Sequence, residues 1–264
     1  MGATATGKSK LSIDLATHFN GEIINSDKIQ VYKGLEIISN KVTDEEAKGI
    51  PHHLLGILDD PDQDFSAADF RRQATEAIDA VLNSGKVPII AGGSNSYIET
   101  LVEDENGDFL RRFDCCFIWV DVASPVLHKR ARERVDQMVA AGLVDEARGM
   151  FIPGGDDGDY GRGIRRAIGV PEMAAYFTVE NDENVDEATK GEILASCIEE
   201  IKVNTLKLID SQLGKIRRLR NVLGWELKRV DATAVHEKYG QDAEAAWERL
   251  VLKKGLEIVK DFIK

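Results

Sequence analysis

Apolar and polar positions follow one another along the chain in blocks that are typical of a mixed α/β protein. Short apolar runs predict buried strands at 22–27, 87–91, 117–121 and near 225–230. Between these runs, apolar residues recur with helical spacing and predict helices at 8–17, 67–83, 96–101, 127–140, 192–221 and 243–264. Because strands alternate with helices, the pattern predicts an α/β fold with a parallel sheet.

Residues at helix ends and the order of elements refine this picture. Ser66 is expected to cap the helix that follows it, with Asp69 completing a capping box. The acidic stretch 181–190 is expected to be a mobile excursion. The chain is predicted to divide into a phosphate-loop core at 1–125, a helical annex at 126–200, and C-terminal helices at 201–264 that return to the core.

The composition of the chain argues against several classes of protein. A net charge of −12 disfavours a generic nucleic-acid surface, although a local basic groove is compatible with it. No apolar run approaches the roughly 18 residues of a membrane span. The cysteines, Cys115, Cys116 and Cys197, lack the spacing of metal ligands. We therefore expect a monomer without a membrane partner.

The first residues of the chain carry its most specific motif. Gly2–Ser9 matches Gly-x-x-x-x-Gly-Lys-Ser/Thr, in which backbone amides, a lysine and a helix N-terminus bind phosphate. An ordinary Gly/Thr-rich turn before a helix is the alternative. The expected phosphate-binding residues are Gly2, Ala3, Ala5, Thr6, Gly7, Lys8 and Ser9. Together with the strand pattern, the motif predicts a P-loop NTPase-like three-layer fold with a central parallel sheet and a small helical annex.

A phosphate loop normally follows a buried strand, and here only Met1 precedes it. We expect that strand, and any targeting signal, to be encoded upstream of this sequence.

Polar residues follow the predicted strands, where a parallel sheet presents its ligand crevice. Asp27 is expected to point toward the phosphate loop, with a turn-capping role as the alternative, and Asp121 is expected to assist Mg²⁺. Arg130 and Arg134 lie on one helix face and could close over a polyphosphate or pair with neighbouring acids. Further anion contacts are expected from Arg166 and from the basic half of the long helix, which contains Lys202, Lys207, Lys215, Arg217, Arg218 and Arg220.

The ordered set of motifs resembles the isopentenyltransferases that prenylate adenine, and among them the plant adenylate enzymes that form cytokinins, which are related to tRNA dimethylallyltransferases. The resemblance covers nearly the whole chain. It rests on the segments 2–9, 25–34 (Asn-Ser-Asp-Lys-Ile-Gln-Val-Tyr-Lys-Gly), 51–55 (Pro-His-His-Leu-Leu), 65–71, 92–97 (Gly-Gly-Ser-Asn-Ser-Tyr) and 163–171 (Gly-Ile-Arg-Arg-Ala-Ile-Gly-Val-Pro).

This resemblance implies transfer of a dimethylallyl group from dimethylallyl diphosphate to N6 of adenine. It implies that the loop holds the departing diphosphate, with Lys8 and Arg166. Asp27 matches the catalytic base, Thr4 a threonine near the reacting centre, and Ser9 the ligand of Mg²⁺. Chemically, the cation and loop amides oppose the charge that develops on the leaving group, and a carboxylate accepts the proton of the weakly nucleophilic amine.

The acceptor is expected to be a free nucleotide, because this sequence contains no C-x-x-C motif with trailing histidines and the segment 36–42 resembles the nucleotide-using enzymes. The resemblance to the plant enzymes implies ATP or ADP before AMP. Relatives carry arginine where this chain has Ser211, next to Gln212. The candidate substrate-binding residues are Asp27, Asn40, Lys41, Ser94, Tyr97, Lys207, Gln212 and Lys215.

The alternatives are a tRNA dimethylallyltransferase, a P-loop small-molecule kinase and a nucleotide-binding module without catalysis. The resemblance implies a plastid or cytoplasmic location.

Overall fold

Parallel strands form the centre of the computed structural model, which describes residues 1–103, 107–155 and 159–264. The strands are β1 (Gly21–Asn25), β2 (His52–His53), β3 (Val87–Ala91), β4 (Phe117–Asp121) and β5 (Leu227–Asp231). They form two parallel ladders, one in the order β2-β1-β3 and one that pairs β4 with β5. The predicted α/β class with a parallel sheet is confirmed.

Helices surround these ladders. They are α1 (Lys8–Phe19), α2 (Asp44–Ala47), α3 (Ala67–Asn83), α4 (Asn95–Val102), α5 (Asp108–Arg112), α6 (Ser124–Ala141), α7 (Leu143–Arg148), α8 (Ala174–Val179), α9 (Glu187–Asn221), α10 (Thr233–His236), α11 (Gly240–Trp247) and α12 (Lys253–Phe262). Short 3₁₀ turns occupy Gly163–Arg166 and Pro171–Met173. No helix in the described ranges is both long and apolar enough to cross a membrane.

The register of β1 and β3 brings two loops to one edge of the sheet. Asn25 pairs with Ala91 at the carboxyl ends of these strands. Beyond that pair, the Ser26 amide donates to the Ala91 carbonyl over 2.9 Å, and the Ser94 amide donates to the Ser26 carbonyl over 3.0 Å. The segments that contain Asp27 and Gly93 are therefore fixed side by side.

Side-chain caps fix where helices α3 and α9 begin, and the second of them corrects a prediction. Ser66 and Asp69 form the predicted capping box of α3. Helix α9, however, begins at Glu187, because the Asp186 side chain accepts the Thr189 amide. The predicted excursion at 181–190 is therefore wrong for its last residues, which are helical.

The predicted C-terminal helix at 243–264 is also interrupted. Helix α11 begins earlier, at Gly240, and a π-helical turn at Glu248–Leu252 separates it from α12. Such a turn inserts an extra residue into the helical ladder, and an apolar pattern alone does not reveal it.

Helix α9 links two hydrophobic clusters. Its Ile201 packs in the cluster that surrounds β1, α3 and α4. Its Ile209, Leu213 and Ile216 pack in the cluster around β4, β5 and α11. The helix crosses the predicted boundary at residue 200 and contacts both α6 and α8. The division of the chain into three parts stays a prediction.

Met1 extends the ladder of β4 by one residue. Its nitrogen donates to the Ile118 carbonyl over 2.7 Å, and its carbonyl accepts the Val120 amide over 2.9 Å. A largely apolar cavity of about 510 Å³ lies between β3 and β4. The phosphate loop therefore starts beside the middle of β4, and the expected upstream strand stays a prediction.

Candidate active site

A crevice of about 540 Å³ lies at the carboxyl ends of β1 and β3. Its walls come from the phosphate loop, the loops after β1 and β3, helices α6 and α9, and the 3₁₀ turn after α7. The predicted site residues that line it are Thr4, Ala5, Gly7, Lys8, Ser9, Asp27, Asn40, Ser94, Arg166, Gln212 and Lys215.

Close packing explains the glycines of the phosphate loop. A Cβ atom on Gly2 would lie 2.6 Å from the Val120 carbonyl oxygen. Gly7 has a φ of +91°, and a Cβ atom there would lie 2.7 Å from the Trp247 ring. A side chain at either position would collide with its surroundings. Both positions must therefore be glycine for the loop backbone to lie this close to β4 and α11.

The rest of the loop divides into an inner and an outer part. Ala3 and Thr6 are fully buried, and the Thr6 hydroxyl donates to the Ala3 carbonyl over 2.9 Å. Gly2, Ala3 and Thr6 do not line the crevice, whereas Ala5, Gly7, Lys8 and Ser9 do. The inner residues shape the loop, and the outer ones face the crevice.

Lys8 is a partly buried cation of the loop. Its Nζ donates to the Ala3 carbonyl over 2.6 Å. Burial lowers the pKa of Lys8 to about 8, Asp27 opposes that shift, and Arg134 adds to it. An anion in the crevice would favour the charged form of this lysine.

The structure distinguishes the two arginines of α6. Arg130 donates its Nε to the His236 carbonyl over 2.6 Å, and its guanidinium stacks on Tyr239. Arg134 instead lines the crevice and donates its Nη2 to the Thr4 hydroxyl over 2.6 Å. Burial lowers the pKa of Arg134 to about 10, so it stays charged at neutral pH. Of these two arginines, Arg134 is therefore the one placed to contact a polyphosphate in the crevice.

The two oxygens of Asp27 have different surroundings, and the turn-capping role is the one that a hydrogen bond shows. Its Oδ1 accepts the Ile29 amide over 2.9 Å and so caps the turn after β1. Its Oδ2 faces the loop after β3, where a Cβ atom on Gly93 would lie 2.8 Å away. One oxygen thus fixes the carboxylate, and the other is directed toward the crevice.

Gln212 connects the two glycine loops. The Thr4 amide donates to its Oε1 over 2.8 Å, and its Nε2 donates to the Gly93 carbonyl over 2.9 Å. The adjacent Ser211 also lines the crevice.

A second group of cations faces the crevice beyond Asp27. Burial lowers the pKa of Lys28, and Arg166 and Lys215 lower it further. These three side chains all line the crevice. Neighbouring cations repel one another, so a bound anion would stabilise the group.

Three predicted substrate ligands are not at the crevice. Lys41 is buried and donates to the Gly34 carbonyl and to Glu36. The Tyr97 hydroxyl donates to the Phe65 carbonyl over 2.6 Å, and its ring stacks on Phe70. Lys207 is exposed and donates to Asn204. Each side chain is engaged elsewhere, and none of the three lines the crevice.

Asp121, which was expected to assist Mg²⁺, lies outside the crevice, and its metal role stays a prediction. Its carboxylate accepts Arg229 Nε over 2.6 Å, and it does not line the crevice. Within 1–103, 107–155 and 159–264, no group of three or more His, Cys, Asp or Glu side chains could hold a metal ion.

Lys28 and His236 are among the lining residues that the sequence prediction missed. Lys28 directly follows Asp27, so its position beside a strand end was a usable signal. His236 enters from the far end of the chain and approaches the Thr6 carbonyl at 3.4 Å. No local pattern marks that contact.

The sequence matches the family model described as "IPP transferase" over residues 30–111 and 103–218. The chain is 52% identical over 265 residues to adenylate isopentenyltransferase 3, chloroplastic, of Arabidopsis thaliana. The alignment covers 100% of this chain and 77% of that protein. It is 49% identical to adenylate isopentenyltransferase 7, mitochondrial, of the same plant, over 99% of this chain and 78% of that protein.

A solved structure shows the same fold. The crystal structure of a eukaryotic dimethylallyltransferase acting on tRNA superposes with a TM-score of 0.78 at 25% identity. It covers 99% of this chain and 78% of that chain. The predicted P-loop NTPase-like architecture is thereby confirmed.

Proposed function

The chain belongs to the IPP transferase family, and we propose that it transfers a dimethylallyl group from dimethylallyl diphosphate to N6 of adenine in free ATP or ADP, and more weakly in AMP. This reaction would open cytokinin synthesis. The observation that carries the proposal is the arrangement of the crevice, in which cations lie in two groups with Asp27 beside both. Such a site suits two phosphate-bearing substrates whose reacting atoms meet at a carboxylate.

The first cation group suits the prenyl donor. Cleavage of the allylic C–O bond leaves negative charge on the departing diphosphate. Lys8 of the phosphate loop and Arg134 beside it are both partly buried, and a charge interaction there is stronger than in water. They would stabilise the diphosphate most as the bond breaks. Thr4, which Arg134 contacts, would lie near the reacting centre.

Asp27 is the proposed base. The exocyclic amine of adenine is a weak nucleophile because its lone pair is delocalised into the ring, so a proton acceptor is needed as the new C–N bond forms. The Ile29 amide holds Oδ1 of Asp27, which leaves Oδ2 to take the N6 proton.

Mg²⁺ is the proposed cofactor. Ser9 lines the crevice at the start of α1, and its hydroxyl together with diphosphate oxygens would provide the hard oxygen ligands that Mg²⁺ prefers. This ligand set fits an ion shared with the substrate. When bound, Mg²⁺ supplies further neutralisation of the leaving group.

The second cation group suits the phosphates of the acceptor. Lys28, Arg166 and Lys215 lie beside Asp27 on the side that α9 and the 3₁₀ turn provide. Arg166, which the family resemblance pairs with Lys8, lowers the pKa of Lys28 through its charge. We therefore propose that it serves the acceptor rather than the donor.

Relatives support a free nucleotide over tRNA. Proteins named for adenylate acceptors are 49–52% identical to this chain, while the enzyme acting on tRNA is 25% identical. Because those two plant relatives are named chloroplastic and mitochondrial, we also propose an organellar location, with the plastid first. A monomeric state remains part of the proposal.

The test is a product assay. The protein is incubated with dimethylallyl diphosphate, Mg²⁺ and AMP, ADP, ATP or an adenine-containing tRNA anticodon stem-loop, and N6-prenylated product is measured by mass spectrometry. We expect product with ATP and ADP, less with AMP, and none with the stem-loop. The Asp27→Asn variant keeps an acceptor for the Ile29 amide but loses the base, so its kcat should fall by about 10²–10⁴-fold.

Other outcomes would identify the alternatives. Product with the stem-loop alone would replace the proposed acceptor by tRNA. Release of ADP from ATP with a nucleoside acceptor, in the absence of any prenyl donor, would indicate a kinase. Full activity of Asp27→Asn would remove the proposed base.

A further inference from the structure

Gln212 occupies an unusual position for an uncharged polar side chain. It lies in the C-terminal third of α9 and is only 7% exposed, among the apolar residues Ile209, Leu213 and Ile216 that anchor the helix in the core. A buried carboxamide is costly unless its oxygen and nitrogen are both hydrogen-bonded. Its partners therefore show what the helix presents at this point.

Both ends of the carboxamide are engaged by backbone. Oε1 accepts the amide of Thr4 in the phosphate loop over 2.8 Å, and Nε2 donates to the carbonyl of Gly93 in the loop after β3 over 2.9 Å. The backbone carbonyl of Gln212 also accepts Asn95 Nδ2 at 3.4 Å. One rigid helix thus holds two loops that come from opposite sides of the crevice.

Each of these loops carries one side of the proposed reaction. Thr4 is held at its backbone by Gln212 and at its hydroxyl by Arg134. Gly93 adjoins the base. A Cβ atom added to Gly93 would lie 2.8 Å from Asp27 Oδ2 and also 2.8 Å from Gln212 Nε2. The carboxamide therefore sets the spacing between the donor loop and the segment next to Asp27.

We propose that Gln212 is a positioning residue, not a substrate ligand, and that it fixes the distance between the donor diphosphate and the base. This inference rests on the proposed function. A displacement of about 1 Å between reacting groups can cost about 10²-fold in rate. Loss of the bridge should therefore lower kcat, while the cations that bind each substrate keep KM close to its original value.

The experiment compares three variants by steady-state kinetics with each substrate varied and by thermal unfolding. Gln212→Met has a similar length but removes both hydrogen bonds. Gln212→Glu keeps the acceptor for the Thr4 amide and loses the donor to the Gly93 carbonyl. This variant replaces Gln212→Met in the test if the methionine variant does not fold. The control is Asn204→Leu, which removes a carboxamide contact from the same helix, a 2.8 Å bond to Glu172 outside the crevice.

We expect kcat to fall by about 30–100-fold in Gln212→Met and by less in Gln212→Glu, with both KM values within about threefold of the parent. Asn204→Leu should keep its kcat even if its melting temperature falls by as much as that of Gln212→Met. Three results would each overturn the inference: a KM increase with unchanged kcat, an equal kcat loss in Asn204→Leu, or a Gln212→Met variant with parental kcat. Absence of product from the parent protein would instead count against the proposed function.

Discussion

Lys8 ties the proposed activity to pH. Burial lowers its pKa to about 8 in the free protein, so the side chain is largely charged at pH 7 and largely neutral at pH 9. The loss of charge occurs as pH rises, and it removes an attraction for the donor diphosphate.

We therefore expect kcat/KM for dimethylallyl diphosphate to fall above about pH 8 and to approach a tenfold loss per pH unit, because this parameter reports ionisations of the free enzyme. Initial rates at low donor concentration between pH 6 and 10 measure it. The Lys8→Arg variant is the control: arginine keeps its charge over this range, so its profile, though lower, should lack the decline near pH 8. A decline of the same shape in both proteins would assign the ionisation to another group.

Lys215 and Arg218 allow a matched test of the acceptor subsite. They lie on the same helix, but Lys215 lines the crevice, whereas Arg218 pairs with Glu99 and does not. Lys215→Ala should raise the KM for ATP by about tenfold, which corresponds to loss of one charged hydrogen bond, and should change the KM for AMP less. Arg218→Ala should leave both KM values unchanged. Equal effects in the two variants would remove Lys215 from the proposed subsite.

Residue identity alone predicted part of this site. A Gly-rich loop and a polar strand end are local features, which is why Lys8, Ser9 and Asp27 could be assigned to the crevice from sequence. Helical spacing placed Arg130 and Arg134 on one face but could not choose between them. The choice depends on the His236 and Lys238 carbonyls that capture Arg130, and these come from a distant part of the chain.

At the level of elements, the C-terminal helix α11 supports the phosphate loop from behind. Trp247 is 3% exposed, its ring lies against Gly7, and its Nε1 donates to Asp14 Oδ2 of α1 over 2.9 Å. The loop geometry thus depends on a helix more than 200 residues away, as the separation of 233 positions between Trp247 and Asp14 shows.

Trp247→Ala should lower the free energy of unfolding by about 3–5 kcal/mol, the usual range for removing a buried tryptophan, and should weaken binding of the donor. Urea unfolding and the KM for dimethylallyl diphosphate measure the two effects. Trp247→Phe keeps a ring beside Gly7 and loses mainly the hydrogen bond, so we expect a cost of about 1 kcal/mol and near-normal KM. If Trp247→Ala left the stability unchanged, α11 could not be the support of the loop.

Strands and amphipathic helices were predictable because each depends on a local period of apolar residues. The boundaries of β1, β3 and β4 and the start of α3 lie close to the predicted ones. The prediction was wrong where the apolar period carries no information about the backbone. The π-helical turn at Glu248–Leu252 continues the same apolar face. The early start of α9 depends on one cap at Asp186.

For the molecule as a whole, charge is distributed unevenly. The chain carries a net charge of −12, yet Lys8, Lys28, Arg134, Arg166 and Lys215 all line the crevice. A positive cleft in an acidic protein attracts small anions while the outer surface repels extended polyanions. Composition alone indicated the outer surface, and only the fold reveals the gathering of cations.

The Thr4–Gln212 bridge also has a consequence for folding. The two residues lie 208 positions apart, and His236 meets Thr6 across 230 positions. Contacts between such distant segments must offset the entropy of closing a very long loop, so they are expected to form late as the chain folds. A partly folded intermediate would therefore have no assembled crevice, and substrates would stabilise only the fully folded protein.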